Sequence, residues 1–193
     1  MVAEFNTEHW PIVYLRLGGK IVDDNIFEEY QKLYLNLLIK CKKNNEKMVL
    51  ISDLSYFNND NNIPMKYLMK QMQFSKKIYD FNKKYLKCVV ILCKNKSTKN
   101  LIKSLMNFTK PASPNKICRT SKKANTYLYE KFQIKFNIEI FNKDLELNND
   151  NEDEEKDELN DIDSESIINK IKLENDNDSK KEVFTEYFNQ LSL

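Results

Sequence analysis

The feature that most constrains the fold is a pair of unbroken apolar runs, each of which is followed by polar residues and then by a helix-like pattern. The runs are MVLI at 48–51 and CVVILC at 88–93. Such runs are typical of strands that are buried on both faces of a sheet, as in α/β proteins. We therefore predict that Val49 to Ser52 and Val89 to Cys93 are adjacent, fully covered strands of one central sheet.

Similar patterns on either side predict four βα units in a row. The other two strands are predicted at 11–17 and 116–120. This alternation is typical of an α/β domain, here with a mostly parallel or mixed sheet of about four or five strands and crossover helices. The order of the strands and the oligomeric state stay open.

Each predicted helix has a start signal and an apolar face. Asp23, Asp24 and Asn25 are capping candidates at the start of the first helix, and with Asn25 as the cap Glu28 completes a capping box. Pro64 opens the second helix, Ser97 or Thr98 caps a third that ends by Phe108, and Thr120 or Ser121 caps the last. The inward-facing residues are predicted from three- and four-residue spacing. They are Ile26, Phe27, Tyr30, Leu33, Tyr34, Leu37, Leu38 and Cys41; Met65, Leu68, Met69, Met72 and Tyr79; Leu101, Ile102 and Leu105; and Ala124, Leu128 and Phe132.

Charge divides the chain into a basic body and an acidic tail. Residues 1–143 hold 26 Lys and Arg against 12 Asp and Glu, a net charge of +14, whereas residues 144–193 hold 5 against 17, a net charge of −12. We predict a basic domain at 1–143, a disordered acidic linker at 144–178 and a short amphipathic helix at 179–193. The tail is expected to pair with the body and to compete with its partners.

One apolar face of the terminal helix needs a surface to dock on, either a groove on the domain or a partner. Its members are Val183, Phe184, Tyr187, Phe188 and Leu191.

The basic body predicts an anionic partner. Lysine is abundant throughout the chain, so solvation alone also accounts for part of the pattern. An acidic protein partner is the leading interpretation, an anionic membrane surface the alternative, and nucleic acid a distant third, because Phe74, Tyr79, Phe81 and Tyr85 have a spacing that packing explains better. The predicted basic face consists of Lys66, Lys70, Lys76, Lys77, Lys83, Lys84, Lys94, Lys96, Lys99 and Arg119.

Catalytic, cofactor and metal signatures do not emerge from the sequence. His9 is the one histidine, the two glycines form no phosphate-binding loop, and the four cysteines form no CxxC pair, so buried reduced thiols are expected. Asp53 follows a predicted strand, where α/β proteins place ligands, and it is a binding candidate together with Ser55. We expect a protein without catalysis, cofactor or metal, and a cytoplasmic one, because the first residues carry no targeting pattern.

Several segments resemble the STAS domains, and especially the SpoIIAA-like proteins related to anti-sigma-factor antagonists. The resemblance covers roughly Trp10 to Phe132 and rests on WPIVYLRLGGKI, Asp23-Asp24, SDLS at 52–55, CVVILC, the KP-x-SP-x-KI segment and TSKKANTYL. It implies a compact sheet-and-helix module that binds a protein or a small anion. Antagonist members carry a phosphorylatable serine that would fall within 58–65, NNDNNIPM, where this chain has no Ser or Thr, so we do not expect that switch.

Overall fold

The structure, a computed structural model, describes residues 3–17, 24–55, 65–108, 110–138, 140 and 191. The described strands are β1 (Ala3–Asn6), β2 (Ile12–Leu17), β3 (Met48–Asp53), β4 (Leu86–Leu92) and β5 (Asn115–Cys118). The described helices are α1 (Asp24–Asn44), α2 (Met65–Lys77), α3 (Tyr79–Tyr85), α4 (Lys96–Phe108) and α5 (Ser121–Phe132). Among these residues no helix is both long enough and apolar enough to cross a bilayer.

The strands form one mixed sheet in the order of the sequence, β1-β2-β3-β4-β5. β1 is antiparallel to β2, and the other pairs are parallel. Each crossover therefore moves the chain one strand in the same direction, and crossovers of one hand place their helices on the same face of the sheet. The α/β class and the mixed sheet are confirmed.

Two apolar cores, one on each face of the sheet, follow from this topology. The larger core contains Leu15 and Leu50 from the sheet and Leu35 and Leu38 from α1, with residues of α2, α3 and α4. On the other face, α5 and the segment after it cover residues such as Ile51 and Val90. The last helix can cover this second face because no strand follows it in the described part of the chain.

The predicted adjacency of the two apolar strands is confirmed. Ile51 is the register partner of Val90, and Leu50 is that of Val89. The prediction that both strands are fully covered is wrong at two positions, because Ser52 and Val89 are half-buried.

Strand β1 was not predicted. Its four residues, AEFN, are too few to show a period, and they become a strand because Phe5 pairs with Leu15 across β1 and β2. The ring of Phe5 also stacks on Tyr30 of α1, with centroids 5.8 Å apart. A short edge strand of this kind is stabilised by its tertiary neighbours more than by its own residues.

The prediction for α1 was wrong in two details. The helix begins at Asp24, so Asn25 lies inside it and is not its cap. Leu33 is 40 % exposed, whereas Leu35 is fully buried. Leu35 was missed because the buried side of α1 is wider than a single stripe of three- and four-residue spacing.

The predicted single helix after Pro64 is two helices, α2 and α3, which are separated at Ile78. The buried side chains described in these two helices and at the break are Tyr67, Met69, Phe74, Ile78, Asn82 and Tyr85. Leu68, Met72 and Tyr79, which were predicted to face inward, are half-buried. Only Tyr79 follows the break, so a spacing counted through one continuous helix does not apply to it. Leu68 and Met72 lie within α2, whose buried positions are Tyr67, Met69 and Phe74.

Of the predicted N-terminal caps, that of α5 is confirmed and that of α4 is wrong. The side chain of Thr120 accepts a hydrogen bond from the Lys123 N–H (3.2 Å), so the predicted cap of α5 is confirmed. For α4 the prediction was wrong, because Asn95 Oδ1 accepts from the Thr98 N–H (2.9 Å) and the helix begins at Lys96. Asparagine is among the strongest N-cap residues.

Candidate functional site

The edge where β2 to β5 end, here called the carboxyl edge, gathers half of the predicted binding residues. The residues that follow β3 and β4 remain hydrogen-bonded to the neighbouring strand. The Leu54 N–H donates to the Leu92 carbonyl (2.8 Å), and the Cys93 N–H donates to the Cys118 carbonyl (2.9 Å). The side chains that follow β3, β4 and β5 consequently lie next to one another. Ligands of parallel sheets commonly bind at such an edge.

Asp53 is fully buried at the end of β3, with both carboxylate oxygens hydrogen-bonded. Oδ2 accepts from the hydroxyl of Tyr14, and Oδ1 accepts from the Ser55 N–H at 2.8 Å. Arg16 is the register partner of Asp53 across β2 and β3, and of Glu4 across β1 and β2. A basic residue thus stands between two acidic ones on neighbouring strands.

The pKa of Tyr14 is held well above its usual range. Burial is the main cause, because it disfavours the phenolate, and the hydrogen bond to the Asp53 carboxylate acts in the same direction. The nearby guanidinium of Arg16 acts weakly in the opposite direction. Tyr14 therefore stays protonated at neutral pH and serves as a donor to Asp53.

This geometry assigns Asp53 a structural task. Its carboxylate is buried and accepts a hydrogen bond from the backbone N–H of Ser55, so Asp53 presents no free acid at the surface. Within the described ranges no three His, Cys, Asp or Glu side chains group as metal ligands would. Buried polar groups with satisfied hydrogen bonds fix one packing arrangement of a core.

The carboxyl edge is basic beside β4 and β5. Lys94 and Lys96 follow β4, and Arg119 follows β5; all three are exposed, while Lys99 in the first turn of α4 is half-buried. The N-termini of α4 and α5 start at the same edge, and helix N-termini carry partial positive charge. We call Lys94, Lys96, Lys99 and Arg119 the basic edge. Lys122 and Lys123, which are also exposed there, were not predicted.

Lys66 and Lys70 are placed differently from the rest of the predicted basic face. Their ammonium groups lie 3.1 Å and 2.8 Å from Asp24 Oδ1, so α2 is tied to the start of α1. Hydrogen bonds from Lys70 and Lys66 lower the pKa of Asp24 from 3.8 to about 2. These two lysines are therefore ion-paired with an acidic residue of the same chain.

The four remaining predicted lysines, Lys76, Lys77, Lys83 and Lys84, are exposed on α2 and α3. They lie on helices that cover one face of the sheet, apart from the carboxyl edge. The predicted basic face is therefore divided into three groups: a paired one, a helical one and the basic edge.

Two of the four aromatic residues that were considered for nucleic-acid binding belong to the core. Phe74 and Tyr85 are buried, and the Phe74 ring meets Tyr34 edge-on with centroids 5.9 Å apart. Tyr79 and Phe81 are half-buried. Rings held in a core cannot stack on bases, so Phe74 and Tyr85 do not form an aromatic platform for nucleic acid.

All four cysteines are free and buried, as the sequence predicts. Burial raises the pKa of the Cys41 and Cys88 thiols to about 11 and also raises the pKa of Cys93 and Cys118. The thiolate is the reactive form, so these groups are inert at neutral pH.

A shallow concavity of about 480 Å³ lies on α5 and the segment after it, lined in part by Tyr129, Ile134 and Phe136. None of the predicted site residues lines it. Tyr129 is 47 % exposed there.

Of the five predicted tail-docking residues, only Leu191 lies among the residues that the structure describes. Leu191 is helical and buried, whereas Val183, Phe184, Tyr187 and Phe188 lie outside the described residues, as does the loop 58–64.

The residues that the sequence analysis missed are partners of the residues it found. Tyr14 and Arg16 are two residues apart on β2, so the sequence could show that they lie on the same face of the sheet. It could not show that Tyr14 donates to Asp53, which is 39 residues away, or that Arg16 is the register partner of Asp53. Asp24 was seen as a helix-start residue and not as a partner of lysines.

No family model matches this chain, and no curated protein or solved structure matches it either.

Proposed function

We propose that this chain is a non-catalytic binding module of the STAS, SpoIIAA-like kind, in which the basic edge recognises an acidic protein segment. The observation that carries the proposal is the adjacency of β4 and β5, which brings Lys94, Lys96 and Arg119 together at one end of the sheet. The family part of the proposal rests on the sequence resemblance over 10–132, a range that contains β2 to β5 and α1 to α5.

Charge supports a protein-binding role for this edge. The stretch 61–135 holds 18 Lys and Arg against Asp80 and Glu130, so the field around the edge attracts acidic chains. Exposed ion pairs contribute only about 0.2–1 kcal/mol each, so binding needs several of them acting together. Clustering at one edge supplies that number, whereas scattered lysines would not.

The acidic tail is the nearest competitor for this surface. Its net charge of −12 opposes the +14 of the body, and tethering gives it an effective concentration in the millimolar range. The proposed module is therefore partly masked by its own tail at low ionic strength, and salt weakens the masking together with the binding.

The test compares two triple variants that remove the same charge. Lys94→Gln/Lys96→Gln/Arg119→Gln changes the basic edge, and Lys76→Gln/Lys77→Gln/Lys83→Gln is the matched control on α2 and α3. The probe is a fluorescent peptide with the sequence of residues 150–163, DNEDEEKDELNDID. We expect the edge variant to weaken peptide binding about tenfold and the control to weaken it about twofold or less, as for a change outside the site.

Equal losses in both variants would show that binding depends on overall charge, and the edge would then not be a site. A second arm uses vesicles with and without phosphatidylserine. Stronger dependence of vesicle binding than of peptide binding on the edge would favour an anionic membrane surface and would overturn the protein-binding proposal.

A further inference from the structure

Leu191, the third residue from the end of the chain, lies in the core on the α1 face. Its exposure is 4 %, its backbone is helical, and it belongs to the same buried cluster as Leu35 and Leu38 of α1. A leucine that is buried among residues of α1 marks a contact between this segment and the core.

A polar contact accompanies the apolar one. Lys42 Nζ donates a hydrogen bond to the backbone carbonyl of Leu191 at 3.2 Å. Lys42 lies in the last turn of α1. A hydrogen bond from a charged ammonium group to a backbone carbonyl is stronger than one between neutral groups. Leu191 is thus held by burial of its side chain and by a cation on its backbone.

The two ends of the tail reach opposite faces of the sheet. Ile138, fully buried shortly before the tail begins, belongs to the core under α5, whereas Leu191 belongs to the core under α1. The 50 residues of 141–190 join them, a length that does not limit the reach. The position of Leu191 is also far in topology from the basic edge, because the end of α1 leads into the start of β3.

We propose that α1 carries a docking site for the chain's own segment around Leu191, anchored by Leu191 in the α1 core and by Lys42 on its carbonyl. The occupant is this segment and not a partner, because Leu191 itself is seated there. The site is distinct from the basic edge, so it stands or falls independently of the proposed function. Its effect is to keep the acidic tail attached to the body at both of its ends.

The experiment measures whether the surface becomes available when its occupant is removed. A fluorescent peptide with the sequence of residues 179–193 is titrated into three full-length chains: the unmodified one, Leu191→Asp, and Leu173→Asp as a matched change elsewhere in the tail. If the tethered segment has an effective concentration of about 1 mM and binds its site with a Kd of about 0.1 mM, it weakens the binding of an added peptide to the same site roughly tenfold. We expect Leu191→Asp to bind the peptide about tenfold more tightly than the other two chains.

A peptide that itself carries the Leu191→Asp change should bind none of the three chains. Equal affinity of the unmodified peptide for all three chains would overturn the proposal.

A second measurement covers the case in which Leu191→Asp does not fold: NMR follows the hydrogen exchange of the residue 191 amide. We expect this exchange to be at least about tenfold slower in the unmodified protein than in Leu191→Ala. Exchange at the rate of an unstructured chain in the unmodified protein would contradict docking.

Discussion

Replacing Tyr14 with phenylalanine removes one hydroxyl and leaves the ring in place, so it isolates the hydrogen bond to Asp53. The Asp53 carboxylate has no exposed surface, and the Tyr14 side chain is also buried. Water cannot substitute for the lost donor without opening the core. The free energy of unfolding should therefore fall.

The magnitude follows from the remaining partners of Asp53. Hydrogen bonds to a charged group contribute about 1.5–3 kcal/mol, and a buried acceptor that loses its donor costs a similar amount. Asp53 keeps the Ser55 N–H and has Arg16 as its register partner, so the lower part of this range applies. We expect a loss of about 2 kcal/mol, or about 4–8 °C in Tm for a domain of this size.

Urea unfolding followed by circular dichroism measures this difference, with Tyr129→Phe as the control. Tyr129 is 47 % exposed, so removing its hydroxyl should change the free energy of unfolding by less than about 0.5 kcal/mol. Adding Asp53→Asn completes a double-mutant cycle that isolates the pair. A loss below about 0.5 kcal/mol for Tyr14→Phe would refute the role of this hydrogen bond.

Two further predictions concern α1. Leu35→Ala should lower the free energy of unfolding by about 2–5 kcal/mol, whereas Leu33→Ala should stay within about 0.5 kcal/mol; similar losses in urea unfolding would contradict their placement. Asp24 has a pKa of about 2 in the folded protein, below the usual 3.8, so its stabilisation is complete above about pH 4 and is lost as the pH falls towards 2. Because this carboxylate is 40 % exposed, Asp24→Asn should cost less than about 1 kcal/mol at pH 7 and clearly less at pH 2, where about half of the carboxylate is protonated in the folded protein. A pH-independent difference would rule out pairing with Lys66 and Lys70.

Much of the fold was accessible from local patterns. The runs at 48–51 and 88–93 indicated covered strands because strands that are buried on both faces of a sheet are typically continuous apolar runs. Thr120 was recognisable as a cap because its hydroxyl acts on a backbone N–H three residues away. The same locality explains the errors, since β1 and the break at Ile78 depend on what packs against them and not on their own residues.

The sequence by itself determined the alternation of strands and helices, the division of charge and the burial of the thiols. Only the tertiary structure decided which residues meet: Asp53 with Tyr14 across β2 and β3, Asp24 with Lys66, and Leu191 with Lys42 over 149 residues. The physical reason is one of range. Propensity, capping and periodicity act over a few residues, whereas register and docking are set by the packing of whole elements, which no local pattern encodes.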